Sequence, residues 1–185
     1  MTGITSSISM CSNALLLIGH DSIASFTEGS TGAVIASNLY ESSYLNLLTN
    51  HRWRFASKSE QLARLSVSPV ERFTYAFQIP PDCIYVISPT TRNYEIYGSL
   101  ILCNDMELRL DYTYRVPEDR LPPYFVTSLQ FFLAAEFAIP VTESTDKASF
   151  YMKAHLDQLK KAKFADSTQR PGDTFIDSPY TEVRY

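Results

Sequence analysis

Hydrophobic residues near the N-terminus recur at the spacing of a helix. One stripe consists of Ile8, Cys11, Leu15 and Ile18. It predicts a helix over 7–18, which Ser6 or Ser7 can cap and Gly19 can end. A second helix is predicted from just after Gly32 to about Leu48, on a stripe formed by Ala33, Ala36, Tyr40, Tyr44 and Leu47.

The middle of the chain has the residue composition of β-strands. Residues 52–55, RWRF, alternate charged and aromatic side chains, which predicts an extended segment with one buried face. A helix that continues to about residue 63 stays open, because Phe55, Ser59 and Leu62 also share a helical face. Four segments between 73 and 115 are rich in Tyr, Ile, Val and Phe, and they predict antiparallel strands. Pro80 and Pro81 must end the first of these strands.

Two further helices are predicted after residue 122. Residues 124–139 are almost wholly apolar and predict a buried helix that Pro140 ends. With 16 residues it is too short to span a membrane. The last helix is predicted from about Asp146, with Ala148, Met152, Leu156 and Leu159 facing inward.

The order of these elements predicts an α+β fold. It is an antiparallel helix bundle with an inserted antiparallel β-rich block and an extended C-terminal tail. The single domain covers 1–165, with helices at about 7–63 and 123–165 and the β block at about 73–115. The tail, 166–185, is polar but carries five apolar side chains that predict docking onto a partner: Phe175, Ile176, Tyr180, Val183 and Tyr185.

Composition narrows the classes of function. The net charge of −4 disfavours a protein that grips nucleic acid through its phosphates. Cys11, Cys83 and Cys103 have neither CxxC spacing nor an even count, so reduced and mostly buried thiols are expected. The N-terminus has no basic region before its apolar run, and no secretion signal is expected.

No motif for catalysis, cofactor binding or metal binding occurs in the sequence. His20, His51 and His155 are far apart and lack a ligand spacing. A carboxylate pair for glycoside hydrolysis could be drawn from Glu28, Asp82, Glu107 or Asp111. With 20 acidic residues some pair can always be drawn, so catalytic, cofactor and metal sites are predicted to be absent.

Several short motifs occur in a characteristic order. They are ALLLIG, SIASFTEGS, LLTNHRWRFASKSEQLARL, YAFQIPPDCIYV, LDYTYRVP and LQFFLAAEFAIPVTES. In this order the chain resembles the tail tubular protein A family, the head-to-tail adaptors of short-tailed bacteriophages, from about Ser9 to Asp166. The family's tryptophan-phenylalanine-alanine motif falls on Trp53, Phe55 and Ala56. Its tyrosine, proline and aspartate-cysteine motif falls on Tyr75, Pro80, Asp82 and Cys83.

The resemblance implies a structural virion protein without catalytic activity. Such a protein forms a twelve-membered ring between the portal protein and a tail nozzle or second tubular protein. Viral DNA passes through the ring without specific binding. The implied location is the virion neck, after assembly in the host cytoplasm, with no cofactor and no membrane.

Two other classes of function stay open on the sequence. One is a peptidoglycan-degrading hydrolase, alone or as a side activity, and the other is a monomeric binding module. The resemblance also suggests fold anchors at Trp53, Phe55, Tyr75, Pro80 and Asp82. For Trp53 we expect a core anchor where the second helix meets the β block, with a subunit contact and a DNA or catalytic contact as alternatives.

Overall fold

A computed structural model of the protein describes residues 6–66 and 72–169. This part of the chain contains four helices and two three-stranded antiparallel sheets, so the fold is mixed α+β. The helices are α1 (Ser7–Leu17), α2 (Thr31–Thr49), α3 (Pro123–Thr142) and α4 (Thr145–Ser167). The strands are β1 (Ser57–Gln61), β2 (Tyr75–Gln78), β3 (Cys83–Pro89), β4 (Tyr94–Tyr97), β5 (Leu100–Cys103) and β6 (Arg109–Tyr114).

The first two helices lie where their hydrophobic stripes predict them. Ser6 caps α1 reciprocally with Ser9, since each side chain bonds the other's backbone N–H. The turn after α1 places Gly19 at φ 81°, a conformation that costs glycine little. Ser30 caps α2 by accepting a hydrogen bond from the backbone of Ala33.

Helix α3 differs from its prediction at the C-terminal end. Pro140 does not stop the helix, which runs to Thr142 and ends at Glu143 in the left-handed conformation. A proline removes one backbone donor, and near a helix end this loss need not interrupt the last turn. The helix therefore has 20 residues rather than 16 and is long and apolar enough to cross a membrane by those two criteria. It packs against α1, α2 and α4, and eight of its residues are buried, as in the core helix of a globular fold.

The inward face of α4 was predicted only in part. Leu159 is buried as expected, but Leu156 is 50% exposed, and His155 is buried one position earlier. The helix also extends past the expected boundary at residue 165. Asp166 lies in its last turn and is 1% exposed, so it belongs to the folded domain rather than to the tail.

The β block consists of two separate sheets. One has the strand order β1-β6-β3, and the other has the order β2-β5-β4. Helical structure does not continue to residue 63, because Ser57–Gln61 form β1, paired with β6. Between α2 and β1 the chain makes a single 3-10 turn at Arg54–Ala56 instead of the extended segment predicted for RWRF.

Two hydrophobic clusters stabilise the described part of the chain. The larger one joins the four helices with Trp53, Val116 and Leu121. The smaller one lies within the β block, around Phe77 and Tyr112. Tyr114 packs against both clusters, so the end of β6 connects the helices to the sheets.

Candidate functional site

Trp53 lies in the larger hydrophobic cluster, just before the 3-10 turn that leads from α2 into β1. Its side chain is fully buried, and its indole N–H donates to the backbone oxygen of Leu47 at 2.9 Å. The ring centroid of Phe125 lies 5.2 Å away at a right angle, and that of Phe55 lies 5.7 Å away. A buried indole with its donor satisfied is the arrangement of a core anchor.

The arginines beside Trp53 lie at the surface. Arg52 donates to the Asp111 carboxylate at 2.9 Å, with 58% of its side chain exposed. Arg54 is exposed as well, but its backbone N–H points inward. The basic appearance of RWRF therefore comes from side chains that stay in solvent.

Asp166 connects the end of α4 to the 3-10 turn that follows Trp53. The sequence analysis did not identify it as a structural residue. Its carboxylate accepts hydrogen bonds from the Arg54 backbone N–H at 3.1 Å and from the Tyr124 hydroxyl at 2.9 Å. His51 Nε2 lies 3.9 Å from the same carboxylate. A buried carboxylate with these donors ties the end of α4 to the start of the β block. No spacing along the chain relates position 166 to position 54.

The tyrosine-proline-aspartate motif does not join the Trp53 cluster. Tyr75 is half-buried in the smaller cluster, and Pro80 lines a surface groove. Asp82 is exposed and accepts hydrogen bonds from Lys58 at 2.5 Å and Tyr112 at 3.1 Å. These hydrogen bonds, with Lys58 foremost, hold the pKa of Asp82 below its usual range. Asp82 thus connects two strands and a turn at the surface, outside both hydrophobic clusters.

Two of the four carboxylates considered for hydrolysis, Glu28 and Asp82, lack the raised pKa of a general acid. Glu28 accepts from Ser30 and from the backbone of Ala24, which lowers its pKa. Asp111 is engaged by Arg52 and by Ser59. A general acid in glycoside hydrolysis needs a raised pKa, and Glu28 and Asp82 are shifted the other way.

The cysteines and the possible metal ligands were the remaining candidates for reactive or binding sites. All three thiols are free, and Cys11 and Cys103 are buried as expected. Burial raises the pKa of Cys11 to about 12, which favours its thiol over the more nucleophilic thiolate. Among residues 6–66 and 72–169, no group of three or more His, Cys, Asp or Glu side chains is placed to hold a metal ion.

Two adjoining cavities lie along strand β3. The larger one, about 710 Å³, is lined mainly by the 78–81 loop, by β3 and by Ile96 of β4. The smaller one, about 410 Å³, lies between residues 49–52 and β3. Tyr85 lines both cavities, and we call the two cavities together the β3 groove.

Comparisons of the chain with protein-family models and with curated proteins gave no match. A function for this chain is therefore inferred from its motifs and from the geometry given above. The five apolar residues of the predicted docking tail, Phe175, Ile176, Tyr180, Val183 and Tyr185, lie outside the described residues.

The buried His155 predicts a pH-dependent stability. Burial lowers its pKa, and its Nδ1 donates to the Ser128 backbone oxygen at 2.9 Å. Between the lowered folded pKa and the unfolded value of about 6.5, the unfolded chain binds more protons. The contribution of neutral His155 to the free energy of unfolding should therefore be fully present above about pH 6.5. It should decrease as the pH falls below that value. Burial also lowers the pKa of His51. His51 should therefore contribute to the pH dependence of stability in the same direction.

Melting curves between pH 8 and 5.5 measure this effect. The melting temperature of the wild-type chain should fall across that range, and His155→Gln should flatten the dependence. His51→Asn is the comparison variant for the more exposed histidine. It should remove a smaller part of the pH dependence of the melting temperature. A pH dependence that is unchanged in His155→Gln would contradict the assignment.

Proposed function

We propose that this chain is a structural head-to-tail adaptor of a short-tailed bacteriophage. The observation that supports this most is how the motifs of the resemblance meet in space. Lys58 of RWRFASK and Tyr112 of LDYTYRVP both donate to Asp82 of IPPDC. Motifs far apart in sequence therefore form one connected scaffold, as expected if they specify a common fold.

The surface of the helices fits a protein that contacts copies of itself. Several large apolar side chains there are at least half exposed: Leu16, Val34, Ile139, Phe150, Leu156 and Phe164. Large apolar residues exposed together on a surface favour interaction sites. In a ring, each copy would cover part of this surface on its neighbour. We propose a ring of twelve copies, built on an antiparallel bundle of the helices.

The charge of the protein fits a channel for DNA. A net charge of −4 repels phosphates, so DNA can slide without being held. In this proposal the ring binds the portal protein on one face and a tail nozzle or second tubular protein on the other. The segment that follows α4, to residue 185, acts as an extended tail that docks onto the portal. The adaptor carries out no reaction, needs no cofactor and has no membrane partner.

Assembly on the portal tests the proposal. The free chain should sediment mainly as a monomer of about 21 kDa, because rings that closed early would misassemble. Adding the portal protein encoded with it should produce a complex with a ring of adaptor copies. Analytical ultracentrifugation and electron microscopy of the mixture measure both states.

A portal from an unrelated phage is the control and should leave the chain monomeric. Phe164→Ser, at a side chain 72% exposed, should weaken assembly without lowering the melting temperature. Stable rings without portal would contradict the ordered assembly. Failure to bind the matching portal under any condition would contradict the adaptor function itself.

A further inference from the structure

The β3 groove has the shape and chemistry of a site for an extended peptide. Its larger cavity is lined by apolar side chains from three segments of the β block: Ile79, Pro80, Pro81, Ile84, Val86 and Ile96. Ile96 and Tyr85 are 44% and 55% exposed, so apolar area at the groove is left uncovered by the described residues. Burial of apolar area stabilises a contact by about 25 cal/mol per Å².

Strand β3 adds backbone hydrogen-bonding groups to this surface. It is an edge of its sheet, where the strand order is β1-β6-β3. Within residues 6–66 and 72–169, no strand pairs with the outer side of β3. A free edge next to an apolar cavity is the arrangement that receives an added strand.

The chain leaves helix α4 beside one end of the groove. Asp166, in the last turn of α4, lies 3.9 Å from His51 Nε2, and His51 lines the smaller cavity. Gln169, at the end of the described chain, donates to the Tyr124 hydroxyl at 3.4 Å in the same region. The described chain therefore ends at Gln169, three residues after a side chain that lies close to the lining of the smaller cavity.

The 16 residues that follow match the groove in length and in residue type. Extended, they reach up to about 53 Å, more than twice the roughly 23 Å covered by a seven-residue strand. Pro171 and Gly172 are turn formers and allow the chain to change direction after the helix. Phe175, Ile176, Tyr180 and Val183 supply apolar side chains, and Pro179 is tolerated in a strand at a sheet edge.

We propose that residues 170–185 dock in the β3 groove of their own chain as an extended segment along strand β3. Attachment next to the groove favours this occupant over a segment from another molecule. A short tether gives an effective concentration on the order of millimolar, well above micromolar concentrations of separate chains. The inference does not rest on the adaptor function; in an adaptor, the segment would have to leave the groove to reach the portal.

Photocrosslinking in the full-length chain tests this docking. The photoreactive residue p-benzoylphenylalanine replaces Phe175, the purified chain is irradiated, and the adducts are mapped by mass spectrometry. Adducts at the mass of one chain are expected on residues 79–87 or 96–99. The same photoreactive residue in place of Phe164, on the exposed face of α4, should not label the groove.

A matched pair of substitutions tests the groove itself. Ile96→Asp places a charge in the apolar lining and should lower the adduct yield at least fivefold. Tyr97→Asp changes the neighbouring side chain, which is 73% exposed and does not line the groove, and should leave the yield within twofold. If Ile96→Asp does not fold, the adduct map of the otherwise unchanged chain still decides the question. Adducts that join two chains, adducts outside the groove, or no adducts would each overturn the proposal.

Discussion

Replacing Trp53 by alanine is expected to lower the free energy of unfolding by about 3–5 kcal/mol. The side chain is fully buried, and its removal would leave a cavity among Phe55, Tyr124 and Phe125. The Leu47 backbone oxygen would also lose the indole donor that lies 2.9 Å away. Since native domains are stable by only about 5–15 kcal/mol, this change should remove a large part of the stability.

The arginines on either side of Trp53 are the matched controls. Arg52→Ala and Arg54→Ala should each lower the free energy of unfolding by less than about 1 kcal/mol, because exposed ion pairs contribute little. Urea melts followed by tryptophan fluorescence measure the arginine variants, and circular dichroism measures Trp53→Ala. If the arginine variants lose as much stability as Trp53→Ala, the core-anchor assignment is wrong.

Replacing Asp166 by alanine is expected to lower the free energy of unfolding by about 2–3 kcal/mol. The change removes the acceptor for the Arg54 backbone N–H and for the Tyr124 hydroxyl. Leaving a buried donor without an acceptor costs about 1–3 kcal/mol. The effect should be largest at the junction of α4 with the 3-10 turn, and hydrogen exchange at the Arg54 amide would locate it.

Two further variants separate the hydrogen bonds from other effects of the Asp166 change. Asp166→Asn keeps the shape and one acceptor oxygen and should lose less stability than Asp166→Ala. Asp157→Ala, on the same helix, removes only an exposed carboxylate 3.6 Å from Lys160 and should change stability by less than about 0.5 kcal/mol. Equal losses for Asp157→Ala and Asp166→Ala would show that Asp166 has no special role.

Residues of the candidate site could be predicted from the sequence where their neighbours along the chain determine their role. Trp53 is the only tryptophan in the chain, and a large apolar side chain between two charged ones predicts burial without further information. Asp82 could be named as a fold anchor only through the resemblance, because its partners Lys58 and Tyr112 lie in strands far away in sequence. Asp166 was assigned to a polar tail, because its sequence neighbours give no sign of the Arg54 amide that it binds.

Elements with a strong and local hydrophobic period can be predicted from the sequence. The stripes of α1 and α2 set those helices to within about two residues, because each face is defined by neighbours three and four positions apart. Apolar and polar side chains alternate from Leu108 to Tyr114, which predicts the burial of Leu108, Leu110 and Tyr112. The alternation fails at the end of β6, where Thr113 is buried and Tyr114 is only partly buried. The mixed α+β class follows from the order of these patterns along the chain.

Elements that depend on distant partners become evident only in the folded chain. The segment SKSEQ has no apolar period, and it is a strand because its backbone pairs with β6, about 50 residues away. Helix α4 buries His155 rather than Leu156, because Ser128 of α3 offers a hydrogen-bond acceptor at that position. Backbone pairing and buried polar contacts join residues that are far apart in sequence. No local pattern relates such residues, so their contacts can be identified only in the folded structure.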